Sequence, residues 1–244
     1  LTGNAGANVL NGGAGADTLV GGTGNDTYVI DNVGTRDELD AKIAAVGITP
    51  SAPADKATLL RRATYVLTGL PPSPAEITDF EADASPEAYA KVVDRLLASP
   101  RFGEHFARHW MDLVRYADTH GSEGDPAIPN AWRYRDYVIR AFNADLPYDR
   151  FIREQLAGDQ LGADAATGFL VGGPWDRVKS PDPVLTANQR ADELHDMIGT
   201  TASAFLGTTL ACARCHDHKF DPVPMTDYYG FMGMLQGVLH GERD

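Results

Sequence analysis

Cysteine, basic charge and long apolar runs are all scarce in this chain. Its 244 residues hold only two cysteines, too few for a scaffold stapled by disulfides. Lysine and arginine number 21 against 34 acidic residues, a formal net charge of −13. That balance argues against a nucleic-acid partner, which needs a basic face, and it suits a cation-binding or exported protein. No apolar run reaches the roughly 18–20 residues that span a bilayer, so no membrane span is expected. No signal peptide is visible. The sequence opens within a repeat at Leu1, so an export signal is expected upstream and the chain reads as a fragment.

The opening is rich in what the rest lacks, glycine in register. Residues 3–29 divide into three nonapeptides, "GNAGANVLN", "GGAGADTLV" and "GGTGNDTYV", on the pattern G-G-x-G-x-D-x-U-x with U a large apolar residue. The apolar position is Leu10, Leu19 and Tyr28; the acidic one is Asn8, Asp17 and Asp26. Glycine permits the positive φ of a tight loop and lets carbonyls crowd a cation. Here those glycines include Gly13, Gly15, Gly22 and Gly24. The aspartate adds a hard oxygen, which suits Ca²⁺. The three residues after it form a short strand with its central side chain turned inward. The pattern resembles the RTX (haemolysin-type) calcium-binding repeat. That resemblance implies a short parallel β-roll with Ca²⁺ between loops two repeats apart, so that Asn8 and Asp26 flank one site. Asp17 then takes a partner from an upstream repeat or from the imperfect turn near "IDNVG". Asn4 and Asn8 depart from the pattern, which weakens the first loop.

Residues 34–54 lose the repeat and end in a Pro/Ser/Ala stretch, a linker signal. The repeat module is therefore assigned to 1–33, the linker to 34–54 and a second domain to 55–244. That domain has few segments of strand alternation. Leu59, Leu60, Ala63, Val66 and Leu67 recur at helical spacing before a stop at Gly69. Ser73–Pro74 and Ser85–Pro86 each read as an N-cap followed by proline at the first helical position. "PRFGEHFARHWMDLVRYAD", "AWRYRDYVIRAFNADL", "PYDRFIREQLAG", "TANQRADELHDMIGTTASAFLG" and "MTDYYGFMGMLQGVL" continue the series. The expected fold class is mainly α: an all-α helical domain with long loops at 118–130 and 162–185, preceded by the β-roll remnant. Trp110, Trp132, Tyr134 and Tyr137 are expected in its core.

Both cysteines fall in "CARCHDHKFDP", residues 212–222. C-x-x-C-H is the attachment signature of c-type haem. Cys212 and Cys215 would form thioethers to the porphyrin, and His216 would be the proximal iron ligand. Two cysteines scattered over such a length fall three apart only about once in a hundred placements, before the histidine is required. A thioredoxin-like reading needs a βαβ setting, which is missing from the pattern. A zinc site would draw on Cys212, Cys215 and His216 or His218, with a fourth ligand from elsewhere. A small disulfide is the third alternative. A sixth haem ligand would come from Met225, Met232, Met234, His195 or Met197, and a five-coordinate iron is equally open. His218, Asp217 and Asp221 have a plainer reading as a solvated loop. His105 and His109, four apart on a helix, have the spacing of a metal pair; their ordinary reading is one surface and one partly buried imidazole.

"YADTHG", "WRYRDYVIRAFNADLPYDRFIREQLAGDQL", "ATGFL" and "FLGTTLACARCHDHKFDPVPMTDYY" occur in order, after "LLRRATYVLTGLPPSPAEITDFEAD". Together they resemble the planctomycete cytochrome-C-associated domain over roughly residues 55–240, an exported bacterial family without an assigned activity. Its members usually carry a cytochrome c module before this domain and another uncharacterised domain after it. The resemblance implies an exported protein of the periplasm, cell envelope or extracellular space, with a redox partner protein or neighbouring cytochrome module. The sequence reading is thus a calcium-binding RTX module joined to a helical domain that binds haem c and takes part in electron transfer. The alternative is a non-redox cell-surface or binding module whose cysteine pair holds zinc or a disulfide. Whether the protein is an enzyme stays open.

Overall fold

Three helices begin by the same device. Ser73, Ser99 and Asp182 each turn a side-chain oxygen onto a free backbone N–H of the first turn, and Pro74, Pro100 and Pro183 follow. Proline costs nothing there, because the N–H it lacks would have no intrahelical acceptor. In the computed structural model the described residues are the backbone of 9–11 and 27–29, positions 42, 45 and 47, and residues 52–120, 125–176 and 180–240. They divide into two compact units, Leu1–Ala54 and Asp55–Asp244.

The first unit contains β1 (Val9–Asn11) and β2 (Thr27–Val29), paired in parallel with Val9 opposite Thr27, Leu10 opposite Tyr28 and Asn11 opposite Val29. The partners lie two nonapeptides apart in sequence. The second unit is mainly helical. Its elements are α1 (Lys56–Thr68), α2 (Pro74–Ala82), α3 (Ala88–Leu97), α4 (Pro100–Leu113), α5 (Ala131–Asn143), α6 (Tyr148–Leu161), the short α7 (Gly168–Val171), α8 (Pro183–Thr201) and α9 (Met225–Leu235). A 3₁₀ turn, Asp164–Thr167, precedes α7.

Helices α1–α3 bury Leu60, Ala63, Phe80, Ala88, Val92 and Leu96 in one cluster. A larger core gathers α4 to α9 around Trp110, Tyr134, Phe151, Phe169, Met197, Ile198 and Tyr228. Burying each such large side chain contributes about 1.5–3 kcal/mol. A buried polar node crosses this core. Trp110 Nε1 and Tyr134 hydroxyl both donate to Gln155 Oε1, at 3.0 and 2.7 Å, so a fully buried amide is satisfied rather than stranded.

Several sequence expectations need correction. Val66 shares the spacing of α1's buried face but is 63% exposed; Thr64 and Thr68 are buried instead, each returning its hydroxyl to the carbonyl four residues back. Trp132 lies on the surface, with the Arg133 guanidinium over its ring. Ser85 does not cap α3. That helix starts at Ala88, after a turn in which the Ser85 hydroxyl takes a hydrogen bond from Lys91. The expected loop at 162–185 contains the 3₁₀ turn and α7, because Ala166, Phe169 and Leu170 are drawn into the core.

Candidate functional site

The cysteine turn is set up by how α8 ends. A π-helical turn, Ala202–Leu206, carries α8 onward, and Gly207 at φ 63° reverses the chain. A left-handed residue is tolerated there because glycine has no Cβ. A 3₁₀ helix follows, Leu210–Arg214, in which residues three apart share an edge. Leu210 and Ala213 occupy the buried edge. Cys212, within the helix, and Cys215, directly after it, are both free and exposed. The N–H of Cys215 closes the turn on the Cys212 carbonyl at 3.3 Å.

His216 comes next and is exposed. Its Nδ1 lies 2.8 Å from the Asp217 carbonyl. A carbonyl only accepts, so Nδ1 carries the proton and the Nε2 lone pair is left to act as a ligand. The neighbouring His218 has the opposite role. Its side chain is 5% exposed, and its Nδ1 accepts the backbone N–H groups of Phe220 and Asp221 at 3.3 and 2.9 Å. Its Nε2 therefore keeps the ring proton and donates to Thr209 Oγ1 at 3.2 Å. Asp221 accepts from the Thr208 hydroxyl, and Asp217 accepts from the first backbone N–H of α9. The segment read as a solvated loop is thus wired from both sides, and only His216 offers a nitrogen outward.

Helices α8 and α9 brace the turn. Arg214 pairs with Asp192 at 2.7 Å, which pushes its pKa up. The Tyr229 hydroxyl donates to the Arg214 carbonyl at 2.9 Å. Beneath lies Tyr228, fully buried, its hydroxyl 2.7 Å from His195 Nδ1. Burial raises the Tyr228 pKa and lowers that of His195, the latter helped by the Arg214 cation. These side chains were not among the sequence expectations, except His195. Its only signal was a histidine on a helical stretch, and its Nδ1 is engaged with the Tyr228 hydroxyl.

Of the other sixth-ligand candidates, Met197 is a core residue at 1% exposure, Met225 and Met232 are half-buried, and Met234 is exposed. Among the described residues no three His, Cys, Asp or Glu side chains converge as a metal-binding group. A zinc site at Cys212 and Cys215 therefore finds no preformed set of ligands. His105 and His109 face each other edge-on with ring centroids 5.0 Å apart. Burial lowers the pKa of His105, and His109 adds to the effect. The calcium candidates Asn8, Gly13, Gly15, Asp17, Gly22, Gly24 and Asp26 lie outside the described residues. The strands that directly follow Asn8 and Asp26 are the two that pair. Among the described residues no helix is long and apolar enough to cross a membrane.

Fold and site define a helical domain with an exposed C-x-x-C-H turn, set behind calcium-type nonapeptides. Residues 37–240 match PSCyt2, a family described as a protein of unknown function (DUF1549), and the chain belongs to that family. Residues 1–28 match the RTX calcium-binding nonapeptide repeat. No curated protein and no solved structure matches the chain.

Proposed function

We propose that this is an exported protein in which an RTX β-roll binds Ca²⁺ and the helical domain carries one covalent haem c for electron transfer. The observation behind the haem reading is the cysteine turn itself. Two exposed cysteines stand three residues apart, Cys212 in a 3₁₀ helix and Cys215 directly after it, and the adjacent imidazole has its Nδ1 engaged and its Nε2 free. The residues fit the group on that count. Haem supplies a one-electron couple whose potential the axial ligand tunes. Cys212 and Cys215 would hold it, His216 would orient and ligate it, and the Asp217 carbonyl would fix the histidine's tautomer. The partner on this reading is a redox protein or a neighbouring cytochrome module, and the location is the periplasm, envelope or exterior. For calcium, the support is the offset of two repeats between β1 and β2. It is the spacing at which a β-roll would bring Asn8 and Asp26 to the same side.

Mass spectrometry of the chain matured alongside cytochrome c assembly machinery tests the haem reading. The expected result is covalent haem on the wild type and none on a Cys212→Ala/Cys215→Ala double variant. His216→Ala should keep haem attached but shift its Soret band and potential. An unmodified, folded wild type, made where a control cytochrome is matured normally, overturns the reading. Thiol counting and metal analysis on that preparation then separate a disulfide from bound zinc.

A further inference from the structure

The segment Gln236–His240 crosses back over α8 after α9 ends. Arg190, on α8, holds it with one guanidinium nitrogen that donates to the Gln236 carbonyl at 3.2 Å and to the Val238 carbonyl. The His240 ring then stacks on Trp175, centroids 5.2 Å apart and planes 9° from parallel. Its Nδ1 lies 3.8 Å from Glu193 Oε2, and both side chains are 6% exposed. A histidine this well enclosed is not needed to close a helix, and the proposed haem site does not use it.

We propose that Gln236–His240 is a pH-gated strap, closed on α8 and Trp175 while His240 is neutral and released when His240 takes a proton. The charges around the ring decide the direction. From α8 it is faced by Glu193, Arg190 and Asp196, and from the end of α4 by Arg115; His120 lies on Trp175 from another side. Glu193 is already paired with Arg190 at 2.8 Å, and Asp196 with Arg115 at 2.8 Å. The two anions are therefore compensated, and 3.8 Å is too long for a hydrogen bond that would hold an imidazolium. The largest effect on the ring is then the cost of a charge taken out of water. Burial accordingly lowers the His240 pKa below its ordinary 6.5, against a smaller opposing pull from Glu193. A base whose pKa is lower in the closed state favours closure above 6.5. That contribution is lost as pH falls from there through the closed-state value. Release would uncover Trp175 and break the contacts of Arg190 with the strap.

Hydrogen exchange of the whole chain, at about pH 7.5 and about pH 5 and corrected for intrinsic rates, tests this on either side of the ordinary imidazole range. The peptide spanning residues 236–240 should lose protection at the lower pH while the α8 peptides keep theirs. His240→Phe retains a ring to stack on Trp175 and cannot titrate, so its strap should stay equally protected at both pH values. If that variant does not fold, His240→Gln serves the same purpose by removing the titration, with pH-independent strap protection expected. Equal protection of the wild-type strap at both pH values overturns the proposal. So does the same acid-induced loss in a folded non-titrating variant.

Discussion

His216 and His218 stand two residues apart and do unlike things. His216 spends one nitrogen on its neighbour's carbonyl and offers the other outward. His218 is enclosed and spends both on the loop, accepting two backbone N–H groups and donating to Thr209. Removing His218 takes the acceptor from the exposed Phe220 N–H and the half-buried Asp221 N–H, a loss of about 1 kcal/mol. His218→Ala should therefore lower Tm and speed amide exchange at Phe220 and Asp221, whereas His216→Ala should leave both near wild type. Equal effects from the two variants would mean that His218 does not pin the loop. The sequence distinguished neither ring, because a histidine's role depends on which backbone groups a folded turn brings to each nitrogen. The same limit hid the Arg115–Asp196 pair. Gly173 packs so closely there that a Cβ would come within 2.1 Å of Asp196 Oδ2, a contact between segments far apart in the chain.

Among the elements, α2 shows what local chemistry can fix unaided. Ser73 accepts from the Glu76 backbone N–H, and Glu76 returns its carboxylate to the Ser73 backbone and hydroxyl at 2.7 and 2.8 Å. The reciprocal pair satisfies two otherwise free groups. The Ser73 backbone hydrogen bond, reinforced by Arg95 from α3, holds the Glu76 pKa below its ordinary 4.5. A lowered carboxyl stabilises the fold above 4.5 and loses that contribution as pH falls through the folded-state value. Glu76→Gln should thus be less stable than wild type near neutrality, and the gap should close as denaturation is measured in increasingly acid buffer. A gap that persists unchanged in acid would refute the assignment. Here the sequence carried the signal, since cap, proline and Glu76 lie within four residues. At α3 the same Ser–Pro signal misled. Ser85 is engaged by Lys91, and its own N–H donates to Asp83, so the helix begins later.

At the scale of the whole molecule, calcium and helix belong to different parts of the chain. The repeat match ends at residue 28, and the family match begins at residue 37. Every candidate Ca²⁺ ligand precedes Asn32. Millimolar-range Ca²⁺ should therefore raise the β signal in circular dichroism and leave the helical bands nearly unchanged. A large helical change on chelation would contradict independent modules. The helices would then depend on the ion, although they have two apolar cores of their own.

What the sequence by itself determined were features set by neighbours within a turn or two. Such are the nonapeptide register, the helical character of the second unit, the capped start of α2 and the C-x-x-C-H motif. These follow from backbone sterics and side-chain periodicity, which act over a few residues. Only the tertiary structure decided which apolar residues face inward and which histidine is enclosed. Trp132 and Val66 had the composition and spacing of core residues and lie at the surface. Leu210 and Ala213 turn inward from a 3₁₀ helix, while Cys212 and Cys215 are exposed. The strap likewise rests on Arg190 reaching carbonyls 46 and 48 residues away. Burial depends on what packs opposite, and an ion pair or hydrogen bond depends on atoms meeting within a few ångströms. Periodicity along one element fixes a face, but only the partner laid against it makes that face a core.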